Sequence, residues 1–205
     1  GRADEGILTR LGHVALGLYG AVRERGLGPD DASAVSVELA EQVPISDLVK
    51  LYQRAIPSTI HVKRSRKFYE WRVRDPLNTF RAVLAREGGN PIAGLVYSTS
   101  VDGKVKIRDV LPLDWSNLDQ TVFYKLLHRV LTECRETTSV TIWDKTMPQS
   151  VISSAGFLPE SSIPFKADSL CITFTPLGSS NDPRINGVDL TEPSNWQMSA
   201  ITQDQ

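Results

Sequence analysis

The sequence is poor in the residues that form covalent or metal cross-links. It has 2 cysteines in 205 residues, Cys134 in a helical pattern and Cys171 in a strand pattern. Disulfide-stabilised domains carry a denser framework, and no histidine stands at zinc-ligand spacing from a cysteine or an aspartate. We therefore expect reduced, buried thiols and no bound metal.

Long apolar runs are also missing. No stretch approaches the roughly 20 residues that a membrane-spanning helix needs, and the start lacks the charged-then-apolar pattern of a secretory signal. We expect a cytoplasmic protein with no membrane partner. Because the chain opens Gly1-Arg2-Ala3 without a methionine, we also expect a processed protein or a piece of a longer one.

Neither sign of charge is in excess. The chain has 23 Lys and Arg residues against 24 Asp and Glu residues, for a formal net charge of -1. Such a balance gives no overall field that attracts nucleic acid, so a nucleic-acid partner is disfavoured. The local exception is the run Lys63-Arg64-Ser65-Arg66-Lys67 beside Phe68 and Tyr69. It is either a contact for nucleic acid or the solvated start of a helix.

Length and periodicity divide the chain into three parts. Residues 1–33 hold an amphipathic helix and a linker, residues 34–177 alternate strands and helices as one α/β domain, and residues 178–205 form a tail without periodicity. The first helix packs on this domain, on another domain, or on a second copy of the chain in a homodimer. The sequence leaves these alternatives open.

The central part has a regular order of predicted elements. Strands are expected where apolar residues alternate, and helices where they recur at helical spacing after a capping residue. The first predicted elements are a strand at 35–39, a helix capped by Ser46-Asp47 and a helix capped by Ser65. Strands at 80–85 and 92–99, joined by a hairpin turn, and a strand at 105–111 follow. The last are a long helix capped by Ser116, Asn117 or Asp119, a buried strand at 140–143, a helix at 148–155 and a strand at 170–174.

This order resembles the GNAT fold of acyl-CoA N-acyltransferases. Asp109-Val110-Leu111-Pro112 is similar to the end of the fourth strand of that family, Leu118 through Leu131 to its third helix, Ser139 through Trp143 to its fifth strand, and Ser154-Ala155-Gly156-Phe157 to its closing turn. The resemblance implies a mixed, mainly antiparallel central sheet with helices on both faces.

The resemblance also implies a cofactor and a reaction. In this family the fourth strand lines the pantetheine arm of acetyl-CoA or another acyl-CoA, and the start of the third helix binds the pyrophosphate. The corresponding residues are Val110 and Leu111, then Ser116, Asn117, Leu118, Asp119 and Gln120. An acyl group, in the first choice acetyl, would pass to an amine acceptor, either a small molecule or a protein.

The phosphate turn departs from the family pattern. Members of the family usually place glycines there because a side chain would block the approach of the backbone to phosphate. This chain has no glycine between Gly103 and Gly156. Two interpretations remain open, a shifted acyl-CoA site or a non-catalytic GNAT-fold module that contacts another domain.

The predicted catalytic groups are carboxylates. Asp109 alternates with Ile107 and Leu111, so we expect it to face the packed side of its strand as a general base; the alternative is a structural aspartate at a strand bulge. Asp144, at the end of the fifth strand, is the second candidate. Ile152 stands where many family members have a tyrosine that acts as the general acid.

The predicted acceptor-binding residues are Trp71, Arg72 and Trp143. A subset of the family has a Trp-Arg pair before the meander and a late tryptophan, and Trp71-Arg72 and Trp196 resemble those positions. In the alternative interpretation Trp71 belongs to the core and Arg72 is a surface residue or a buried ion-pair partner.

Overall fold

The computed structural model describes residues 34–56, 58–101, 103–134, 137, 139–142 and 148–157, together with 184–185, 188–189, 192 and 196–197. The described helices are α1 (Ile45–Arg54), α2 (Arg66–Arg72), α3 (Gln120–Glu133) and α4 (Gln149–Ser154). The described strands are β1 (Val35–Ala40), β2 (Ile60–His61), β3 (Thr79–Glu87), β4 (Asn90–Thr99), β5 (Lys104–Leu111), β6 (Ser139–Ile142), β7 (Arg184–Ile185), β8 (Val188–Asp189) and β9 (Trp196–Gln197).

A five-stranded sheet in the order β1-β3-β4-β5-β6 forms the centre of the fold. Its neighbouring strands are antiparallel except β5 and β6, which are parallel. The hairpin turn between β3 and β4 uses Gly88 and Gly89, whose φ angles of 54° and 80° suit glycine best. The predicted meander and the mixed, mainly antiparallel sheet are both confirmed.

Helices cover both faces of this sheet, as predicted. On one face, α3 packs its apolar stripe against inward residues of all five strands, and α4 adds Ile152 and Ala155 to the same cluster. On the other face, α1 and α2 pack Leu48, Leu51 and Tyr69 against a second cluster from β3, β4 and the end of β5. Because successive side chains of each strand point to opposite faces of the sheet, the sheet separates the core into an α3 side and an α1–α2 side.

Close packing fixes the position of α1 on the sheet. Gly94 of β4 lies beneath Leu51, and a Cβ atom added at Gly94 would stand 2.8 Å from Leu84 Cδ2 and 3.3 Å from Leu51 Cδ1. Real Cβ atoms essentially never approach a neighbour as closely as the first of these distances. A glycine at this position lets the helix lie directly on the strand.

The helix starts were predicted with mixed success. Ser65 caps α2, because its Oγ accepts from Phe68 N at 3.2 Å, and Asp119 caps α3. The predicted cap of α1 is wrong: the helix begins at Ile45 after Pro44, so Ser46 and Asp47 lie in its first turn. Asp47 instead accepts from Arg86 Nη2 at 2.7 Å, which ties α1 to β3.

The two ends of the chain are described only in part. The predicted first helix and the predicted strand at 170–174 lie outside the described residues. Within the tail that the sequence predicts to be irregular, β7 pairs with β8, and β9 pairs in parallel with β2 through Ile60↔Trp196 and His61↔Gln197. Among the described residues no helix has the length and hydropathy to span a membrane.

Candidate active site

A bulge in β5 determines which way the predicted base points. Val96 of β4 pairs with Asp109 while Tyr97 pairs with Ile107, so Arg108 is the extra residue of β5. Before the bulge Ile107 packs on the α3 face, and after it Leu111 packs on the α1–α2 face. The expectation that Asp109 shares a face with Ile107 is wrong, because the added residue reverses the alternation. Asp109 points toward α1 and α2.

Asp109 is fully buried and accepts hydrogen bonds from two side chains. Arg64 Nε lies 3.1 Å from both carboxylate oxygens, Arg64 Nη2 lies 3.1 Å from Oδ1, and Tyr69 Oη donates to Oδ2 at 2.8 Å. Arg64 Nη1 donates to the carbonyl of Val62 at 2.9 Å. The buried charge is therefore compensated by an equally buried guanidinium, as a stable interior requires.

Tyr69 holds its proton firmly in this network. Burial raises the pKa of the Tyr69 hydroxyl well above its usual value, and the negative charge of Asp109 raises it further. A hydroxyl that stays protonated is a dependable donor to a carboxylate. Tyr69 thus orients Asp109 from α2, while Arg64 neutralises it from the segment before α2.

The turn before α3 already uses some of its amides. Asp119 Oδ1 accepts from Thr121 N at 2.8 Å, and Asp114 Oδ1 accepts from Ser116 N at 2.9 Å. Hydrogen bonds from Ser116, first from its backbone amide and then from its side chain, lower the pKa of Asp114 from its usual value. The carboxylates of Asp114 and Asp119 therefore accept backbone amide hydrogen bonds at the helix start, where the resemblance places a pyrophosphate.

The other predicted cofactor residues of this turn are mostly exposed. Ser116, Asn117 and Gln120 face solvent, and Leu118 is half-buried against the α3 side of the core. Within the described part of the chain, the amides of Asn117 and Gln120 have no hydrogen-bond acceptor. These two donors remain at the helix start for an anion.

Val110 and Leu111 are buried on opposite faces of the sheet. Val110 belongs to the α3 side of the core and Leu111 to the α1–α2 side, and neither is exposed. Their contact with a pantetheine arm would therefore be through the backbone. The pairing of β5 with β6 is described up to Ile107↔Ile142, and no described residue pairs with the β6-facing edge beyond it.

The Trp-Arg pair on α2 has one exposed and one buried member. Trp71 is 58% exposed, so the alternative that placed it in the core is wrong, while Arg72 is buried, one of the two positions that this alternative allowed for it. The Arg72 guanidinium lies 5.7 Å from the ring centroids of both Trp71 and Phe80, within cation–π range. α2 thus carries Tyr69, which donates to Asp109, and two of the three predicted acceptor residues, Trp71 and Arg72.

A second buried arginine lies near this pair. Arg108, the bulge residue, donates to Ser98 Oγ at 2.9 Å and to Asn78 Oδ1 at 3.0 Å. Burial lowers the pKa of Arg108, and the positive charge of Arg72 lowers it further. The bulge thus places Arg108 as well as Asp109 on the α1–α2 face.

Two predicted residues lie outside the described chain, and several important ones were missed. Asp144 and Trp143 belong to the first group. Arg64 belongs to the basic run that was predicted to contact nucleic acid or to form a solvated helix start, yet it is buried. The contact between the His61 ring and Tyr52 was not predicted. A buried aspartate in a strand requires a cationic partner, and that requirement was the available signal for Arg64.

The closing turn after α4 matches its prediction. Gly156 has a φ of 89°, and Phe157 N donates to the carbonyl of Ile152 at 3.2 Å, which returns Phe157 to the core. Ile152 itself is 8% exposed and packs in the α3 side of the core. An apolar side chain therefore occupies the position of the family's tyrosine.

Comparisons with known proteins give likenesses of structure. No protein-family model matches the chain, and no curated protein matches it. A GNAT-family acetyltransferase from Streptococcus pneumoniae TIGR4 has a TM-score of 0.49 and 17% identity, with 67% of this chain and 98% of that one covered. A predicted acetyltransferase with acetyl-CoA from Clostridium acetobutylicum has a TM-score of 0.45 and 14% identity, with 65% and 96% covered.

A third likeness is to ribosomal-protein-alanine N-acetyltransferase from Brucella melitensis biovar Abortus 2308. Its TM-score is 0.44 and its identity is 14%, with 68% of this chain and 99% of that one covered. The described residues themselves form a mixed α/β architecture with a mainly antiparallel meander, a parallel fifth strand of the sheet, and helices on both faces. This architecture is consistent with the GNAT fold.

Proposed function

We propose that the chain is an acyl-CoA-dependent N-acyltransferase that moves an acetyl group from CoA to an amine acceptor. The observation that supports this most is the edge of β5 after the bulge. Val110 and Leu111 pair with Leu95 and Gly94 of β4 on one side, and no described strand residue pairs with their other side. An extended edge of this kind offers amide and carbonyl groups to a pantetheine arm.

The described residues fit acetyl-CoA in part. The β5 edge suits pantetheine, and the amides of Asn117 and Gln120 are placed to bind a diphosphate at the start of α3. The carboxylates of Asp114 and Asp119 lie at the same helix start and repel a diphosphate. When bound, acetyl-CoA would supply the activated acyl group, and the chain would hold it beside the acceptor.

The roles of single residues in this reaction are part of the proposal. Asp109 would act as a base only by exchanging a contact with Arg64 or Tyr69, since both of its oxygens accept from them. Trp71 is exposed and adjacent to Arg72, which suits contact with an acceptor. Asp144 and Trp143 keep their predicted roles at the end of the fifth strand of the sheet.

A second candidate function is a non-catalytic GNAT-fold module. The specific observation in its favour is that carboxylates already satisfy the amides of Ser116 and Thr121. In this alternative the helix start serves the fold alone. The exposed Trp71 and Leu77, which are 58% and 81% exposed, would then belong to a contact with another domain or protein.

Thermal unfolding with and without acetyl-CoA tests the proposal. A ligand at about 100 times its dissociation constant stabilises a native protein by about 2.7 kcal/mol. We expect acetyl-CoA to raise the unfolding temperature and adenosine alone to raise it less. No shift at millimolar acetyl-CoA would contradict the acyltransferase and leave the non-catalytic module.

A further inference from the structure

A histidine and a tyrosine form a hydrogen-bonded pair between α1 and β2. Tyr52 Oη lies 2.9 Å from His61 Nε2, and His61 Nδ1 lies 2.7 Å from the carbonyl oxygen of Thr59. Tyr52 is 5% exposed, whereas His61 is only half-buried. The ring of His61 thus links a buried hydroxyl to the surface of the protein.

The partner of Nδ1 decides the direction of the Tyr52 hydrogen bond. A carbonyl oxygen only accepts, so the proton of the neutral imidazole is on Nδ1. Nε2 then carries a lone pair, and the hydroxyl of Tyr52 donates to it. This is the arrangement in which a histidine, oriented by a third group, withdraws a proton from a hydroxyl.

The pair lies on the same side of the sheet as the proposed site. Tyr52 belongs to the same buried cluster as Leu111, the last residue of β5, and Leu113, which follows shortly after it. It also interacts electrostatically with Tyr69, the donor to Asp109. The Tyr52–His61 pair therefore stands on the face where the bulge turns β5 toward α1 and α2.

Asp109, by contrast, is poorly suited to accept a proton. Its carboxylate is unexposed, ion-paired with Arg64 and hydrogen-bonded to Tyr69. Protonating it would leave the Arg64 guanidinium buried without its compensating charge, which costs several kcal/mol. The neutral His61 ring carries no such penalty, since its one buried partner is a neutral hydroxyl.

We propose that Tyr52 and His61 form the proton-accepting pair for acyl transfer, an inference that rests on the proposed acyltransferase function. As the amine nitrogen bonds to the thioester carbonyl carbon and the carbon–sulfur bond breaks, the amine proton passes to Tyr52 Oη. The hydroxyl proton of Tyr52 passes to His61 Nε2. The resulting imidazolium donates from Nδ1 to Thr59, and its proton leaves to solvent while CoA departs as the thiolate.

The ionisable groups around the pair are few in the part of the chain that the structure describes. Tyr69 of α2 interacts with Tyr52, and through Tyr69 the pair reaches Asp109 of β5 and Arg64, whose charges offset each other. Among the described residues, no carboxylate contacts the His61 ring.

The test uses acetyl-CoA with ethylamine as a small surrogate acceptor and measures thiol release against pH. We expect Tyr52→Phe and His61→Gln each to lower kcat about 100-fold or more at neutral pH. The acidic limb of the wild-type pH profile should disappear in His61→Gln. His128→Gln, on α3, is the matched control and should keep both kcat and the pH profile of the wild type.

Binding and folding are measured on the same variants. Acetyl-CoA should stabilise His61→Gln as it stabilises the wild type, because the pair acts on the proton and not on CoA. If His61→Gln unfolds, His61→Asn replaces it, since its amide can donate to Thr59 as Nδ1 does. A nitrogen-15 spectrum of the native ring reports the tautomer directly, and a proton on Nε2 in place of Nδ1 would overturn the assignment.

The outcomes separate this inference from the proposed function. A wild type that is not stabilised by acetyl-CoA and releases no thiol refutes both. A wild type that binds and transfers, beside a folded His61→Gln variant with unchanged turnover and pH profile, refutes only the proton-accepting pair. Loss of turnover with retained stabilisation by acetyl-CoA supports both.

Discussion

Arg64 and Asp109, 45 positions apart in the chain, form an ion pair in which neither side chain is exposed. The pair joins the segment before α2 to the bulge of β5, the two parts that any acceptor site on this face would need. Removing either partner leaves the other charge in the interior without compensation. Stability and site geometry therefore depend on the same contact.

The first prediction concerns Asp109→Asn. Loss of the carboxylate should lower the free energy of unfolding by about 3 to 5 kcal/mol, because the Arg64 guanidinium stays buried without its counter-charge. The midpoint of urea unfolding measures this, at an unchanged slope. Arg81→Gln breaks the exposed pair with Glu133 and should cost at most about 1 kcal/mol. Equal losses in the two variants would contradict a special role for the buried pair.

The second prediction concerns the charge at the start of α3. Asp119→Asn keeps a good N-cap but removes a negative charge next to the proposed diphosphate site. Acetyl-CoA should bind about two- to five-fold more tightly, from the 0.3 to 1 kcal/mol typical of a charge at a helix end. Calorimetric titration measures the change. Glu41→Gln alters net charge equally at another exposed position, and an equal gain there would exclude a local effect.

The third prediction concerns acid stability. Hydrogen bonds donated by the backbone amides of Ser116 and Leu77 lower the pKa values of Asp114 and Asp75 below the usual value of an aspartate. Their contribution is therefore present above about pH 4 and is lost as the pH falls through the lower folded values. Asp114→Asn and Asp75→Asn should each flatten the acid limb of stability measured by thermal unfolding. Curves that superimpose on the wild type below pH 4 would contradict these shifts.

The fourth prediction concerns the packing of α1. Gly94→Ala should destabilise the protein by about 1 to 3 kcal/mol, because the new methyl group meets Leu84 in a filled core. Gly88→Asn is the comparison, since an added Cβ there meets nothing within 4 Å and asparagine tolerates a φ near 54°. Denaturant midpoints should fall for the first variant and stay nearly constant for the second.

The order of elements was predictable from the sequence because each element buries one face. The apolar stripe of α3 and the apolar alternation of β4 extend over enough residues for a helix and a strand to be recognised from their periodicity. The glycines between β3 and β4 indicate the hairpin turn. A bulge at Asp109 was one of the two alternatives that the sequence left open, and the structure has one beside it, at Arg108. Periodicity alone could not choose between them, because β5 has apolar residues on both sides of the extra residue and on both faces of the strand.

The site was predicted less well than the fold, for a physical reason. Asp109 was predicted to be packed, and the structure buries it where β5 bends toward α1 and α2; its catalytic role stays a prediction. Its partner Arg64 sits in a basic run whose other arginine, Arg66, is exposed, so composition gave no sign of its burial. The contact between Tyr52 and His61 depends on how α1 meets β2, which local periodicity does not encode.

The pairing of β2 with β9 affects when the site can form. His61 lies in β2, whose described partner strand is β9 near the end of the chain. Contacts between residues far apart in sequence pay a large loop-closure entropy and form after local ones. During synthesis, strands β1, β3, β4 and β5 can pair while β9 is still inside the ribosome. We therefore expect the segment that holds His61 and Arg64 to be the last part of the proposed site to become ordered.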